Sequence, residues 1–451
     1  MTDAAGGLFA TRAMAAVFSP EAHVAQMLAF EAALARAETR AGVIPPSAAE
    51  AIGAACRVEL YDVAAIYREA EVAGTPAIPL TRMLNERVAD DGKGFVHWGA
   101  TSQDAIDSAM MLQMRAGLDL LVADLRDVAA ACASLAQQHR HTPMAGRTLL
   151  QQALPITFGL KAARWLSLVT RQAQALRECR ERSLALQFGG AAGTLASLGA
   201  SGVTVAVLLA QDLELPLPDL PWHAERDRVA TIAATLGVTA GAMAKIAADL
   251  TLLAQSEVAE AMEAAAPGKG VSSAMPQKRN PVDAVLAAAA SRLAIGVVPV
   301  ILNAMANEHE RAVGGWQAEW AAIPALFGYT AAAVVHVGRA VAGLQVDTDR
   351  MVVNMERGGG LLMAESLTTA LAHHIGRPEA MRLVRDASQR ALQAGATLRQ
   401  AALDDTKIRA HLAEDEIERA LDPRNYLGSA DAFIDRALAA YRAWHAAEAD
   451  P

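Results

Sequence analysis

Aromatic residues make up only 4% of this 451-residue chain, and charged residues only 20%. Alanine and leucine dominate instead, a composition that favours helix. Positive charge is not in excess: 40 Lys and Arg stand against 49 Asp and Glu, for a net charge of −9. That balance argues against nucleic acid as a partner. It leaves an anionic substrate open, because a local cationic pocket can override the global sign. Cysteine is rare and odd in number. Cys56, Cys132 and Cys179 have neither metal nor redox spacing and are expected to be buried apolar fillers in a reducing cytoplasm. No stretch reaches membrane-spanning length without a charged or polar break, so no membrane partner is expected. The first twenty residues hold one basic residue, Arg12, and no apolar run of the secretory type, which again favours a cytoplasmic protein. Eleven histidines are scattered along the chain without carboxylates or cysteines at metal-ligand spacing, so no metal is expected. The Gly358–Gly360 run lacks the Lys-Ser/Thr of a P-loop and the strand of a dinucleotide fold, and reads as a turn.

What is present is long helical periodicity. Three segments have almost no breakers: Ile106–Arg140, Ile156–Leu186 and Arg226–Ala265. A fourth starts after Pro281 and a fifth follows Trp320. A 40-residue helix is ~60 Å long, and several such helices can bury their faces only against one another, which makes a bundle. In the third segment Val229, Ile232, Ala233, Leu236, Val238, Ala240 and Met243 fall on more than one face, as in a helix buried between subunits. No strand-rich region or internal repeat is evident. The expected fold class is all-α, in three parts: residues 1–106 with shorter helices broken by Pro45–Pro46, Pro76 and Pro79; a bundle over 107–345; and a smaller helical end over 346–451 with an Asp422–Pro423 break.

Residues 270–281 read GVSSAMPQKRNP, a polar loop feeding a helix start at Pro281. Free N–H groups and the positive dipole end favour a bound anion there, and proline suits the first helical position. The run resembles the signature loop of the fumarase/aspartase superfamily, written GSSxMPxKxNP. The resemblance implies that Ser272 is the catalytic base and that Lys278 and Asn280 hold substrate carboxylate. Val271 replaces the glycine that usually precedes the first serine, and a β-branched residue tolerates positive φ badly.

Further runs extend the likeness over nearly the whole chain. His97-Trp98-Gly99-Ala100-Thr101-Ser102-Gln103-Asp104 precedes a long helix. Thr101 and Ser102 can donate to a carboxylate and Asp104 can cap the helix. The run is similar to the superfamily's first conserved region, which implies substrate binding by His97, Thr101 and Ser102. Residues 144–152 resemble the second region, GRTHxQ, in Arg147, Thr148 and Gln151. Leu149 stands where that region has its histidine. In adenylosuccinate lyases this histidine is the proposed general acid, supported by a glutamate whose position here is Val285. Residues 307–320, with Gly74-Thr75-Pro76 and Asn425-Tyr426-Leu427-Gly428, resemble the 3-carboxy-cis,cis-muconate cycloisomerases. Within them Arg311 is a candidate cation for substrate, or the partner of Glu310 in a structural ion pair. Trp222-His223-Ala224-Glu225-Arg226-Asp227 looks family-like but suggests no role.

Enzymes of this superfamily remove a proton alpha to a carboxylate and expel a group from the beta carbon. Expelled amines and hydroxide are strongly basic and need an acid. A carboxylate, with a conjugate-acid pKa of about 4, leaves unaided. A chain with Leu149 and Val285 in place of the acid pair therefore favours carboxylate departure or, in reverse, lactonisation with Ser272 as the acid toward the alpha carbon. The resemblance accordingly implies a cofactor-free cycloisomerase of aromatic-acid (protocatechuate) breakdown, acting on a small tricarboxylate as a homotetramer with shared active sites. The rivals are an adenylosuccinate- or argininosuccinate-type lyase, which should retain the acid histidine, and a non-catalytic structural oligomer, against which the Ser272/Lys278/Asn280 set argues.

Overall fold

The computed structural model describes residues 6–449. Among these residues there are nineteen α-helices and four short strands, so the class is all-α as expected. Contacts gather the chain into two compact units, each described in turn. The first comprises Met1–Asp124, Gln172–Ala244 and Leu286–Val335; the second comprises Leu125–Arg171, Lys245–Val285 and His336–Pro451.

In the first unit, helix α1 (Pro20–Arg40) starts at Ser19, whose hydroxyl accepts from Ala22 N–H, with proline as its first residue. Its inward face carries Val24, Met27, Leu28 and Ala35, all buried, together with the buried carboxyls of Glu31 and Glu38. Helix Pro46–Ala55 and Gly202–Leu213 cover that face, and Ile52, Ile66, Leu80 and Leu84 complete the cluster. Helix α2 (Ser102–Gln138) begins where Asp104 reaches back to accept from Thr101 N–H at 3.0 Å, the capping role expected for it.

Four more long helices follow: α3 (Phe158–Ser183), α4 (Asp227–Leu253), α5 (Val282–Asn303) and α6 (Gly315–Ala342). The segment read as helical to Ala265 thus ends at Leu253. Beyond it Ala259 takes a left-handed φ of 51°, and Ala261–Met262 pairs with Gln345–Val346 as a short antiparallel ribbon. Alanine-rich periodicity cannot reveal this stop, because the cause is a distant pairing partner. By length and composition α4, α5, α6 and the Ala196–Leu213 segment are apolar enough to cross a membrane. Each is interrupted by polar or charged residues, such as Asp283 and Arg292 in α5.

The second unit contains a hairpin that periodicity did not predict: β1 (Pro143–Thr148) pairs antiparallel with β2 (Gln151–Thr157). Helix α7 (Thr348–Glu356) lies against β1. The Gly358–Gly360 run is indeed a turn, with Gly359 and Gly360 at positive φ. A separate apolar cluster of Leu367, Leu371, Leu383, Val384, Leu398, Ile408 and Ile417 holds the C-terminal helices together.

Candidate active site

The signature loop is closed at its neck. Asn280 donates to the Gly270 carbonyl twice, from its backbone N–H (2.9 Å) and its side-chain amide (3.2 Å), and Val271 bridges antiparallel to Arg279. Gly270 carries the positive φ, +69°, and a β-carbon on it would lie 2.5 Å from the Asn280 carbonyl oxygen. Val271 is therefore spared the conformation it would resist. Inside the loop, Ser272 Oγ accepts from Met275 N–H at 3.1 Å and Ala274 N–H at 3.4 Å. Two backbone donors on one hydroxyl oxygen stabilise negative charge there, as a serine acting in proton transfer requires. Lys278 is exposed, and among the described residues its ammonium has no ion-pair partner.

Four residues that sequence reasoning missed fix the base of this loop. Lys269 Nζ bridges Glu263 (3.1 Å) and Asp283 (2.6 Å), and His336 Nδ1 meets Asp283 at 2.8 Å. Glu263 also accepts from Asp283 and Ala284 N–H groups, capping α5 from a distance. Burial pushes the Asp283 carboxyl up, but the bonds from His336 and Lys269 overcome it and hold the group below the usual carboxylate range. Only the proximity of Lys269 and Asp283 to the motif hinted at this clamp. Glu263 and His336 had no such signal.

In the same unit the hairpin carries Arg147, Thr148 and Gln151. Arg147 forks onto buried Glu260 at 2.8 and 2.7 Å, and Asn354 donates to the same carboxylate at 2.8 Å. The two terminal nitrogens expected to meet substrate are thus committed to a protein carboxylate. Thr148 pairs with Gln151 across a two-residue turn, and both are exposed. The turn residues, Leu149 and Leu150, are both left-handed, with φ of 52° and 66°, and are 97% and 73% exposed. Val285, the other half of the replaced acid pair, is half-exposed on α5.

The first unit holds the remaining residues. Arg311 Nη2 donates to Thr101 Oγ1 at 3.1 Å and to the Ala191 carbonyl at 3.2 Å. It has no carboxylate partner among the described residues, so the alternative ion pair with Glu310 is not formed; its Nε is shut from solvent without a bond. Ser102 opens α2, where unpaired N–H groups and the dipole favour an anion. His97 sits at φ 59° with Nδ1 2.5 Å from the buried Glu31 carboxylate.

Behind this turn lies a layer of buried charge. Asp104 accepts from Gly189 and Gly190 N–H, from Gln187 Nε2, and from His223 Nε2 at 2.8 Å. Arg226 binds Asp107 and Glu319 together, and Trp316 Nε1 donates to Asp107. Burial opposes the Arg226 charge, but Asp107 and Glu319 raise its pKa further above the usual value. This gives His223 and Arg226 of the 222–227 run, which suggested no role, and Trp316 and Glu319 of the 314–320 run a structural part: they brace the turn at 97–104. Among the described residues no group of three or more His, Cys, Asp or Glu side chains is placed to hold a metal ion.

Comparison with known proteins identifies the family. The lyase family profile matches residues 8–296, and the profile of the adenylosuccinate lyase C-terminus matches 360–437. The chain is 46% identical to the 3-carboxy-cis,cis-muconate cycloisomerase of Pseudomonas aeruginosa over 96% of this chain and 95% of that one. It is 45% identical to the enzyme of the same name from Bradyrhizobium diazoefficiens, over 96% of each. The crystal structure of the 3-carboxy-cis,cis-muconate lactonizing enzyme from Pseudomonas putida superposes with a TM-score of 0.94 at 41% identity, over 98% of this chain and 100% of that one. By the extent and level of these matches, this chain belongs to the 3-carboxy-cis,cis-muconate cycloisomerase family of the fumarase/aspartase superfamily.

Proposed function

We infer that this protein interconverts 3-carboxy-cis,cis-muconate and its lactone, in the breakdown of aromatic acids. A carboxylate of the substrate adds across a C=C bond, and the alpha carbon of the neighbouring carboxylate takes a proton. Ser272 gives that proton, and in reverse removes it. Its oxygen rests on two backbone N–H groups and so bears charge at low cost. Lys278 and Asn280 hold the carboxylate whose charge grows in the transition state. Arg311, Thr101, Ser102 and His97 hold the other carboxylates of the tricarboxylate. Thr148 and Gln151 reach substrate from the exposed hairpin tip, while Arg147 aligns the hairpin through Glu260. The exposed apolar faces of α4 and α5, including Val238, Leu252, Leu293, Ile295 and Val300, favour assembly with further copies. A cytoplasmic homotetramer with sites shared between subunits, in the three-part layout, fits that need.

The single observation that carries this reading beyond the superfamily is Leu149, an apolar residue at the tip where amine-releasing relatives hold an acid. The test is ultraviolet absorbance of the conjugated diene, which lactonisation shortens. Loss of absorbance with 3-carboxy-cis,cis-muconate, and no consumption of adenylosuccinate or argininosuccinate, is expected. Constant absorbance while adenylosuccinate is consumed would replace this reading with the lyase.

A further inference from the structure

Glu31 is a buried carboxylate with no assigned part in the reaction. It is 2% exposed on the inward face of α1, and among the described residues its hydrogen-bond partner is His97 Nδ1. A buried charge is costly unless paired. The partner is itself held in an uncomfortable backbone conformation, left-handed at a residue with a β-carbon. That strain turns the imidazole inward to Glu31 while its carbonyl accepts from Ala100 N–H and closes the turn that leads into Thr101. Thr101 in turn carries Arg311. A carboxylate can only accept, so Nδ1 must bear the proton in its bond to Glu31. This leaves Nε2 for the outer side of a ring that is 18% exposed.

We propose that Glu31 is a positioning residue: by holding the Nδ1 proton of His97 it orients the ring and favours the imidazolium, whose Nε2–H is offered to a substrate carboxylate in the turn that carries Arg311. The proposal rests on the carboxylate-substrate reading above and deepens it. The surrounding groups agree. Burial opposes charge on His97, but Glu31 and then Asp104 overcome it and raise its pKa. Glu38, two turns further along α1, is pushed up to about 9 by burial and by Glu31, so it is neutral and does not compete. Cys56 is likewise held as the thiol by burial and the same carboxylate. Asp104 is shared among backbone N–H groups, Gln187 and His223, and so acts on His97 only through space. The arrangement favours the cationic form of a titratable residue, beside an arginine that needs no such help.

The test uses the full-length protein at pH 6 and pH 8, with two readouts: lactonisation kinetics, and calorimetric binding of tricarballylate as a plain tricarboxylate. Glu31→Gln leaves the ring buried without its counter-charge, so it loses its proton at lower pH. KM for 3-carboxymuconate and Kd for tricarballylate should rise about 10-fold or more at pH 8 and far less at pH 6, with kcat nearly unchanged, as for one lost charge-assisted hydrogen bond. The wild type should show a smaller difference, since Glu31 raises the His97 pKa. His97→Gln should show the weaker binding at both pH values. A purely structural role would not create a pH-dependent KM. Equal KM values at the two pH values in Glu31→Gln, or a loss confined to kcat, would overturn the proposal. Should Glu31→Gln not fold, His97→Gln decides, with unchanged KM and Kd overturning it. If the wild type does not consume 3-carboxymuconate, the functional reading fails separately and the tricarballylate arm still decides. A wild type that binds no tricarballylate either would overturn the inference too.

Discussion

The turn at His97–Asp104 and the loop at Gly270–Asn280 are the two regions proposed to meet a carboxylated substrate, and different means hold them. The turn rests on buried charge: Glu31 under His97, Asp104 under the helix start, and the Asp107–Arg226–Glu319 network behind. The loop rests on its own backbone, with a neck tied by Asn280 and Val271 and an ionic clamp at its base. Its proposed catalytic side chains, Ser272 and Lys278, stand where few protein groups touch them. Buried ionic networks fix geometry but are unforgiving of loss. Backbone-held loops keep their shape when one side chain changes. Substitutions in the Asp107–Arg226–Glu319 layer behind the turn should therefore act mainly on stability, and those of Ser272 and Lys278 mainly on rate.

The largest expected effect tests the braced turn. Arg226→Met should leave Asp107 and Glu319 buried without their cation and cost about 3–5 kcal/mol in unfolding free energy, measured by denaturant titration. A loss under 1 kcal/mol would erase the contrast between the regions. The next tests the loop. Ser272→Ala should lower kcat by ~10²-fold or more. Its unfolding midpoint should stay within a degree or two, since the N–H groups it leaves behind lie in an exposed loop. Near-normal turnover would send the search for the acid–base group to Ser273 and His97. The smallest effect sharpens the comparison at the hairpin. Leu149 and Leu150 occupy both left-handed positions of a two-residue turn that favours Asn-Gly. The double change Leu149→Asn/Leu150→Gly should relieve strain and raise stability by about 1–2 kcal/mol, while lactonisation falls. A gain in both would mean that the apolar tip has no functional use.

Much of the fold was legible. The long helices appear within a few residues of the expected starts, because alanine-rich periodicity and absent breakers act locally. The early end of α4 and the β1–β2 hairpin were not legible. Both depend on pairing with residues distant in sequence. Among the expected site residues, Ser272, Thr101 and Arg311 carry local signatures; Ser272 accepts from two backbone N–H groups, and Arg311 donates to Thr101. Arg147 reads as a substrate ligand by its motif, yet its fork is taken by Glu260, over a hundred positions away in the chain. Glu31, Glu263 and His336 read as ordinary residues of helices and loops. No local pattern marks a carboxylate whose importance lies in what it faces.

The sequence alone determined the helical class, the superfamily loop and the absence of the acid pair at Leu149 and Val285, because each follows from residue type and short-range spacing. Only the tertiary structure decided the rest: which charges are free to meet a substrate and which are spent within the protein. Whether Arg147, Arg226 or Arg311 keeps its charge unpaired depends on which carboxylates folding brings within 3 Å or so of each, and a hydrogen bond across a hundred residues leaves no period in the chain.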